Sequence, residues 1–137
     1  MNPKDIPIII HEDAFRKWSF KFPDGKMLDL PALNKSSLVE SGYSIIEKNF
    51  SSLWTEDGIL VTGEIPTTNN FEKGLPNHNS EVNGKMEPEP VIKDDQAIVF
   101  NIKDNGLVII TGCGHSGIIN TVDDAKELTC QDKIMQW

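Results

Sequence analysis

Short apolar runs near the start of the chain predict one strand and one helical segment. Ile6 to Ile10 has the composition of a short buried strand, with Pro7 tolerable near its start or on a sheet edge. Asp13 to Trp18 is predicted to form one or two helical turns, capped by Glu12 or by Asp13 itself.

The next part of the chain combines one turn, two strands and a long polar stretch. Residues 22–25 form a turn by their chemistry, because a proline fixes one backbone angle and a glycine supplies a positive one. Residues 43–47 and 58–62 have strand composition. Residues 64–94 are rich in Pro, Asn, Glu and Gly without periodicity, which predicts a long surface loop that is functional or mobile.

The clearest local signal is a β-hairpin. Residues 96–103 and 107–111 are rich in β-formers, and Asn105 and Gly106 lie between them. Asn-Gly is a strong hairpin signal because both residues tolerate positive φ. The alternation within the two strands predicts these core residues: Phe100, Ile102, Val108 and Ile110.

A glycine-rich turn and an amphipathic helix follow the hairpin. The turn is Gly112-Cys-Gly-His-Ser-Gly117, and Ser116 is the predicted N-cap of the helix. Residues 133–137 resemble the start of another strand, so the order strand, turn, helix, strand predicts an α/β fold within one domain, 1–137. The apolar helix face is predicted to consist of Ile118, Val122, Ala125 and Leu128.

Composition limits the partners and the compartment. The chain is 38% hydrophobic and 25% charged, which is ordinary for a soluble globular protein. Its formal charge of −8 disfavours nucleic acid and anionic lipid surfaces. The apolar run at the N-terminus is too short for a signal peptide or a membrane span. Cys113 and Cys130 make no disulfide framework, so we expect a cytoplasmic protein with reduced thiols.

The glycine turn is open to several functional interpretations. Gly112, Gly114 and Gly117 spell Gly-x-Gly-x-x-Gly between a strand and a helix, the setting of a dinucleotide-binding turn. Asp132 has the spacing of the ribose-binding acid but precedes its strand, which counts against this hypothesis. The helix N-terminus is also a candidate site for a substrate anion.

His115 is the candidate chemical residue of this turn. The small neighbouring residues would project its imidazole into a cleft at the carboxyl edge of the sheet, where it suits metal ligation or acid–base work. The alternative is a turn histidine that bonds a nearby carbonyl. Cys113, two residues away, is interpreted as a small buried cysteine rather than a nucleophile, because nothing predicts a lowered thiol pKa.

Three blocks in order resemble one family. The stretch from Asp94 to Val122, which includes the glycine turn, closely resembles the metallo-β-lactamase-fold hydrolases, in the branch labelled dihydropterin ribofuranosylaminobenzene-phosphate synthase-like. Ile10 to Phe15 resembles that branch's His-Pro-Asp-Ala-Phe segment. Thr62 to Pro66, continuing through Phe71 and Glu72, resembles its Thr-Gly-Glu-Ile-Pro-Arg block.

The resemblance implies a fold, a metal and a reaction. The family fold is an αββα sandwich that holds one or two zinc, iron or manganese ions, and a metal-bound hydroxide attacks an ester, phosphoester or amide of a small molecule. His115 matches the histidine of the family's Gly-Cys-x-His-x-Gly motif. The family's His-x-His-x-Asp-His block is absent from this sequence. We therefore expect a partial sandwich that carries one family metal ligand, His115, is inactive as an isolated chain and holds no metal of its own.

The remaining candidate residues are given structural roles by sequence alone. His11 is interpreted as structural, His78 as solvated, and Asp94 and Asp95 as anchors of the preceding loop. Thr67 stands where the family branch usually has arginine, which weakens any inherited contact with a substrate anion. A partial sandwich should also expose sheet edges, so the alternative function is a non-catalytic protein that forms homo-oligomers.

Overall fold

A computed structural model describes residues 7–53 and 58–135. The predicted strand positions Ile6, Gln136 and Trp137 lie outside these residues. The elements, in chain order, are β1 (Ile8–Ile10), a 3-10 helix (Glu12–Phe15), β2 (Trp18–Lys21), β3 (Met27–Asp29), α1 (Lys35–Glu40), β4 (Ile45–Glu47), β5 (Ser52–Leu53), β6 (Ile59–Val61), β7 (His78–Val82), β8 (Lys85–Pro88), β9 (Ala97–Ile102), β10 (Gly106–Thr111) and α2 (Ile118–Thr129).

The described strands form three sheets and, together with the helices, confirm a mixed α/β fold. β1 and β4 pair in parallel, with Ile8 opposite Ile45. One four-stranded sheet has the order β10-β9-β6-β5, and the other has the order β3-β2-β7-β8. Both four-stranded sheets are antiparallel throughout.

The segment after α2 returns alongside β10. Leu107 N–H donates to the Lys133 carbonyl at 2.8 Å, and Met135 N–H donates to the Leu107 carbonyl at 2.9 Å. Ile134 forms a parallel bridge with Leu107. Strand, helix and returning parallel segment make the α/β arrangement that the sequence predicts.

The hairpin of β9 and β10 is confirmed, although its turn differs from the prediction. Gly106 pairs with Ile102, so residues 103–105 form the turn. Positive φ falls on Asp104 (64°) and Gly106 (107°) rather than on Asn105 and Gly106. A three-residue loop followed by a positive-φ glycine is a common hairpin connection and satisfies the same glycine requirement.

The predicted core face of this hairpin is wrong. Val99 and Leu107 are fully buried and pack with Leu60 and Ala125, while Ile110 is 52% exposed. Both faces of the hairpin are apolar, so period-two alternation fits either face, and α2 selects the face of Val99 and Leu107. The other predicted core residues are half-buried or exposed: Phe100, Ile102 and Val108.

The buried face of α2 also differs from the prediction. Ala125 is buried as expected, but Ile118 and Leu128 are exposed, and Asn120 and Thr121 are buried in their place. Thr121 Oγ1 donates to the Gly117 carbonyl at 2.7 Å. Buried polar side chains are tolerated where they are hydrogen-bonded, which apolar periodicity does not detect.

The prediction of a structureless loop over 64–94 is wrong in its centre. β7 and β8 form an antiparallel hairpin there, with Val82 opposite Lys85. The turn residues Asn83 and Gly84 both have positive φ, at 51° and 77°. This is the same Asn-Gly signal that marks the later hairpin, and polar strand residues such as Asn79 concealed it.

The N-terminal predictions are met in part. The turn over residues 22–25 is confirmed, since Gly25 N–H donates to the Phe22 carbonyl at 2.9 Å. The helical segment predicted over 13–18 is shorter, because the 3-10 helix ends at Phe15 and Trp18 begins β2. Its cap is His11 instead of Glu12 or Asp13.

Asp124 on α2 gives the fold a testable dependence on pH. Burial, together with the charge of Glu127, raises the pKa of this carboxyl to about 6, from an ordinary 3.8. A folded-state pKa above the unfolded value means that stability is greatest below the unfolded pKa and falls as pH rises through the folded pKa. Asp124→Asn is therefore expected to raise the free energy of unfolding at pH 7 by about 1 kcal/mol, after allowance for solvent screening.

Urea unfolding at pH 7 and pH 4 would measure this effect. The exposed neighbour Asp123, changed to asparagine, is the matched control. The gain in the free energy of unfolding should shrink at pH 4, because the Asp124 carboxyl of the folded wild-type protein is already protonated there and no longer carries a buried charge. An Asp124→Asn variant no more stable than wild type at pH 7 would contradict the assignment.

Candidate functional site

A cavity of about 190 Å³ brings together polar side chains from three distant parts of the sequence. His78 begins β7, Asp94 precedes β9, and His115 lies in the glycine turn after β10; all three line the cavity. The rest of the lining consists of Trp18, Leu30, Pro31, Leu75 and Ile92. A small concave site with apolar walls and a few convergent polar groups is a typical ligand site.

The glycine turn holds His115 in this cavity. Gly114 and Gly117 have positive φ, at 65° and 93°, and Gly117 N–H donates to the Gly114 carbonyl at 3.0 Å. These two glycines therefore shape the turn. Gly112 has no positive φ, and a Cβ there would meet nothing within 4 Å, so its backbone does not require glycine.

Ser116 anchors the turn through its backbone, and the predicted N-cap role is wrong. Gly117 is the N-cap residue, without a side-chain cap bond. Ser116 N–H donates to Asp95 Oδ2 at 2.7 Å, so Asp95 is an anchor, as the sequence suggested, but of this turn. Ser116 Oγ is buried without a hydrogen-bond partner in the described part of the chain.

Glu72 caps α2 from a distant segment. Its Oε1 accepts from Ile119 N–H at 3.0 Å, and its Oε2 accepts from Asn120 N–H at 2.9 Å. Asn69 Nδ2 donates to Oε2 at 2.9 Å. Burial raises the pKa of Glu72, but these hydrogen bonds outweigh it and the pKa is lowered. The carboxylate is therefore ionised at neutral pH and stabilises the positive end of the helix.

This contact bears on the anion and nucleotide hypotheses for the glycine turn. The amides of residues 119 and 120, which a phosphate would need, already donate to Glu72. A Cβ on Gly117 would lie 2.2 Å from the Glu72 carboxyl carbon. The third glycine of Gly-x-Gly-x-x-Gly thus makes room for an internal carboxylate, and neither hypothesis gains support.

His11 has the structural role that the sequence suggested, since it caps the 3-10 helix, but one of its ring nitrogens has no hydrogen-bond partner among the described residues. The side chain is 2% exposed, and Nδ1 accepts from Asp13 N–H at 3.1 Å, which caps the 3-10 helix. A neutral imidazole that accepts at Nδ1 carries its proton on Nε2. That nitrogen is buried and has no partner within residues 7–53 and 58–135.

Asp94 is the half-buried acid of the cavity. Burial raises the pKa of its carboxyl; its own backbone N–H and the charges of His11 and His115 act to lower it, and Asp13 adds to the rise. Its Oδ1 is buried and accepts no hydrogen bond from any residue that the structure describes. Asp94 therefore shares the cavity lining with His115 and keeps hydrogen-bonding capacity unused.

His78 and Cys113 depart from their predicted environments. His78 is half-buried rather than solvated, and its ring packs edge-on against Phe20 with centroids 5.4 Å apart. Cys113 is exposed rather than buried, and Cys130 is exposed as well; both are free thiols. The thiol hypothesis gains no support, because no residue that the structure describes forms a hydrogen bond with the Cys113 thiol.

The described residues do not complete a metal centre. Among residues 7–53 and 58–135, no three His, Cys, Asp or Glu side chains are arranged to hold a metal ion. His115, the residue that the sequence resemblance indicated, lines the cavity together with His78 and Asp94. No helix in the same residues has the length and apolar character needed to cross a membrane.

Comparison with known proteins gives one distant relative. No family model matches the chain. The chain is 28% identical over 128 residues to the uncharacterized protein MJ0448 of Methanocaldococcus jannaschii. The aligned region covers 89% of this chain and 43% of that protein, so the chain spans less than half the length of this curated relative.

Proposed function

We propose that this chain contributes to a metal-dependent hydrolase of the metallo-β-lactamase superfamily, with His115 as one of its metal ligands. The observation that carries the proposal is the position of His115, which lies on the glycine turn between β10 and α2 and lines a cavity with Asp94 and His78. The resemblance of residues 94–122 to the family motif supports the same role.

The chemistry divides between the bound metal and the chain. A divalent zinc, iron or manganese ion held in part by His115 would supply Lewis-acid activation of water and of an ester, phosphoester or amide. The chain supplies the His115 imidazole and an apolar wall that includes Trp18 and Ile92. Such a wall excludes water and strengthens the electrostatic interactions of the polar groups beside it.

The isolated chain is expected to bind metal weakly and to lack hydrolytic activity. A catalytic zinc site uses about three protein ligands plus water, and the described residues contain no such set. The proposal therefore needs further ligands, from additional sequence or from a second copy of the chain. Metal affinity should consequently be modest in the isolated chain and higher in any longer form that restores the His-x-His-x-Asp-His block.

Metal titration tests the proposal directly. The chelator-treated chain would be titrated with zinc and, separately, with manganese, and bound metal measured by elemental mass spectrometry after dialysis. Saturable binding near one ion per chain supports the proposal. Absence of saturable binding of either metal by this chain contradicts it.

A second candidate function, self-association without catalysis, is favoured by one feature of the fold. The outer face is the side of the β10-β9-β6-β5 sheet opposite α2, and it carries Ile98, Phe100, Ile102, Val108 and Ile110. The three isoleucine side chains of this face are between 40% and 52% exposed. A contiguous apolar sheet face is a typical protein interaction surface.

Charge placed on the outer face should disrupt any such association. The double variant Ile98→Lys, Ile110→Lys is expected to be monomeric where the wild-type chain forms an oligomer, because buried lysines would be desolvated without partners. Size-exclusion chromatography with light scattering measures the mass. Leu128→Lys, on the exposed side of α2, is the control and should remain oligomeric. A monomeric wild-type chain would exclude this second function.

A further inference from the structure

Both backbone polar groups of Ser116, the residue directly after His115, are held by buried side chains. Ser116 N–H donates to Asp95 Oδ2 at 2.7 Å, and the Ser116 carbonyl accepts from Asn120 Nδ2, also at 2.7 Å. Asp95 and Asn120 are 8% and 1% exposed. The peptide planes on both sides of Ser116 are therefore each fixed by a hydrogen bond to a buried side chain.

These two hydrogen bonds restrict where the His115 side chain can point. The turn has positive-φ glycines at positions 114 and 117, and glycine permits many backbone conformations, so contacts from outside the turn must select one. Because a peptide unit is planar, the bond at Ser116 N–H fixes the plane that begins at the His115 carbonyl. The direction of the His115 Cα–Cβ bond, and so its entry into the cavity, follows from that backbone.

Asn120 is oriented for this contact by a segment that is distant in the sequence. Its Oδ1 accepts from Thr68 N–H and from Asn69 Nδ2, each at 3.0 Å. Its Nδ2 donates to the Glu72 carbonyl at 3.2 Å as well as to the glycine turn. The opposite orientation of the amide would lose all of these bonds, because its oxygen would face carbonyls and its nitrogen would face donors. The Asn120 amide therefore connects that segment to the turn.

We propose that Asn120 is a positioning residue for His115: it holds the Ser116 carbonyl and thereby fixes the direction in which the His115 imidazole enters the cavity. The inference rests on the proposed function for what His115 binds, because a ligating side chain must be held within about 0.5 Å of its productive position. The conformation of His115 itself can be measured without metal.

Asn120→Ala removes the amide and keeps a good helix former in α2. Three-bond couplings measured by NMR on the isotope-labelled, metal-free chain report the χ1 rotamer of His115. They should show a single rotamer in wild type and averaging among rotamers in the variant. Zinc affinity, measured by competition with a chromophoric chelator, should fall about tenfold, at the lower end of the usual effect of groups that orient a metal ligand.

Thr129→Val separates positioning from a merely structural role. The Thr129 hydroxyl donates to the Ala125 carbonyl at 2.6 Å, four residues earlier on α2, as Asn120 does to Ser116. This variant should lower the melting temperature but leave the His115 couplings and the zinc affinity unchanged, because its bond lies at the far end of the helix. Averaged His115 couplings in both variants would mean that helix stability alone governs the turn, which overturns the proposal.

A second variant covers the case in which Asn120→Ala fails to fold. Asn69→Ala leaves Asn120 in place and removes one of the donors that orient its amide. It should average the His115 couplings, and unchanged couplings would overturn the proposal.

The outcomes also distinguish this inference from the proposed function. A wild-type chain that binds no zinc, but whose single His115 rotamer is averaged in Asn120→Ala, supports positioning and contradicts the metal role. Zinc binding that is lost in His115→Ala but unchanged in Asn120→Ala, with unchanged His115 couplings, overturns positioning and leaves the metal role intact.

Discussion

Replacing His115 with alanine is expected to abolish metal binding by this chain. His115 is the residue that matches the family's ligand motif, and its glycine turn places the imidazole in the cavity. Even with it, no three side chains of the described residues are arranged to hold an ion; without it, the His and Asp side chains left in the cavity lining are His78 and Asp94. Because one imidazole lost from a sparse site removes most of its affinity, we expect the modest zinc binding of the chain to fall to background.

The matched control for this experiment is His78→Ala. His78 lines the same cavity, but its ring packs against Phe20 and it lies outside the family motif. Elemental analysis of dialysed samples should find metal retained in this variant. Equal retention in His115→Ala would contradict the ligand role, and loss in both variants would mean that the two histidines bind together.

Leu107→Ala is expected to cause the largest loss of stability. Leu107 is fully buried and packs with Leu60, Val99 and Ala125 beneath α2. Removal of a buried leucine side chain loses its transfer free energy and leaves a cavity, at a typical cost of about 3 kcal/mol. Urea unfolding monitored by circular dichroism measures the change.

Ile110→Ala on the same strand is the control. Ile110 points to the outer face and is 52% exposed, so its truncation should cost less than about 1 kcal/mol. Alternation along the sequence favoured Ile110 as core, so the pair of variants tests which face is buried. A larger loss for Ile110→Ala would mean that the outer face is covered in solution, as self-association requires.

The strands could be predicted better than their faces. The hairpin of β9 and β10 follows from local chemistry, because β-forming residues and one glycine determine it. Which face is buried depends on where α2 packs, and both faces of that hairpin are apolar. The same limit applies to α2, since Asn120 is buried through hydrogen bonds to Ser116 and to the segment near Thr68.

The site was predictable only in its local part. The glycine turn identifies His115, because the residues that determine a turn are adjacent in the sequence. His78 and Asp94 are distant from it in sequence, and a single sequence carries no signal that they converge. The capping carboxylate of Glu72 is equally distant, at 47 residues from Ile119. Asn83 and Gly84, by contrast, are a local hairpin signal that was missed because the strands on either side are polar.

The Glu72 contact makes two sequence-distant segments a single cooperative unit. The first turn of α2 is held by hydrogen bonds that the amides of Ile119 and Asn120 donate to Glu72, so we expect it to open when the segment of Glu72 detaches. Hydrogen exchange at the amides of Ile119 and Asn120 then reports detachment of the segment rather than fraying of a helix end. The exchange rates of these two amides therefore measure motion at the start of α2, directly after the turn that carries His115.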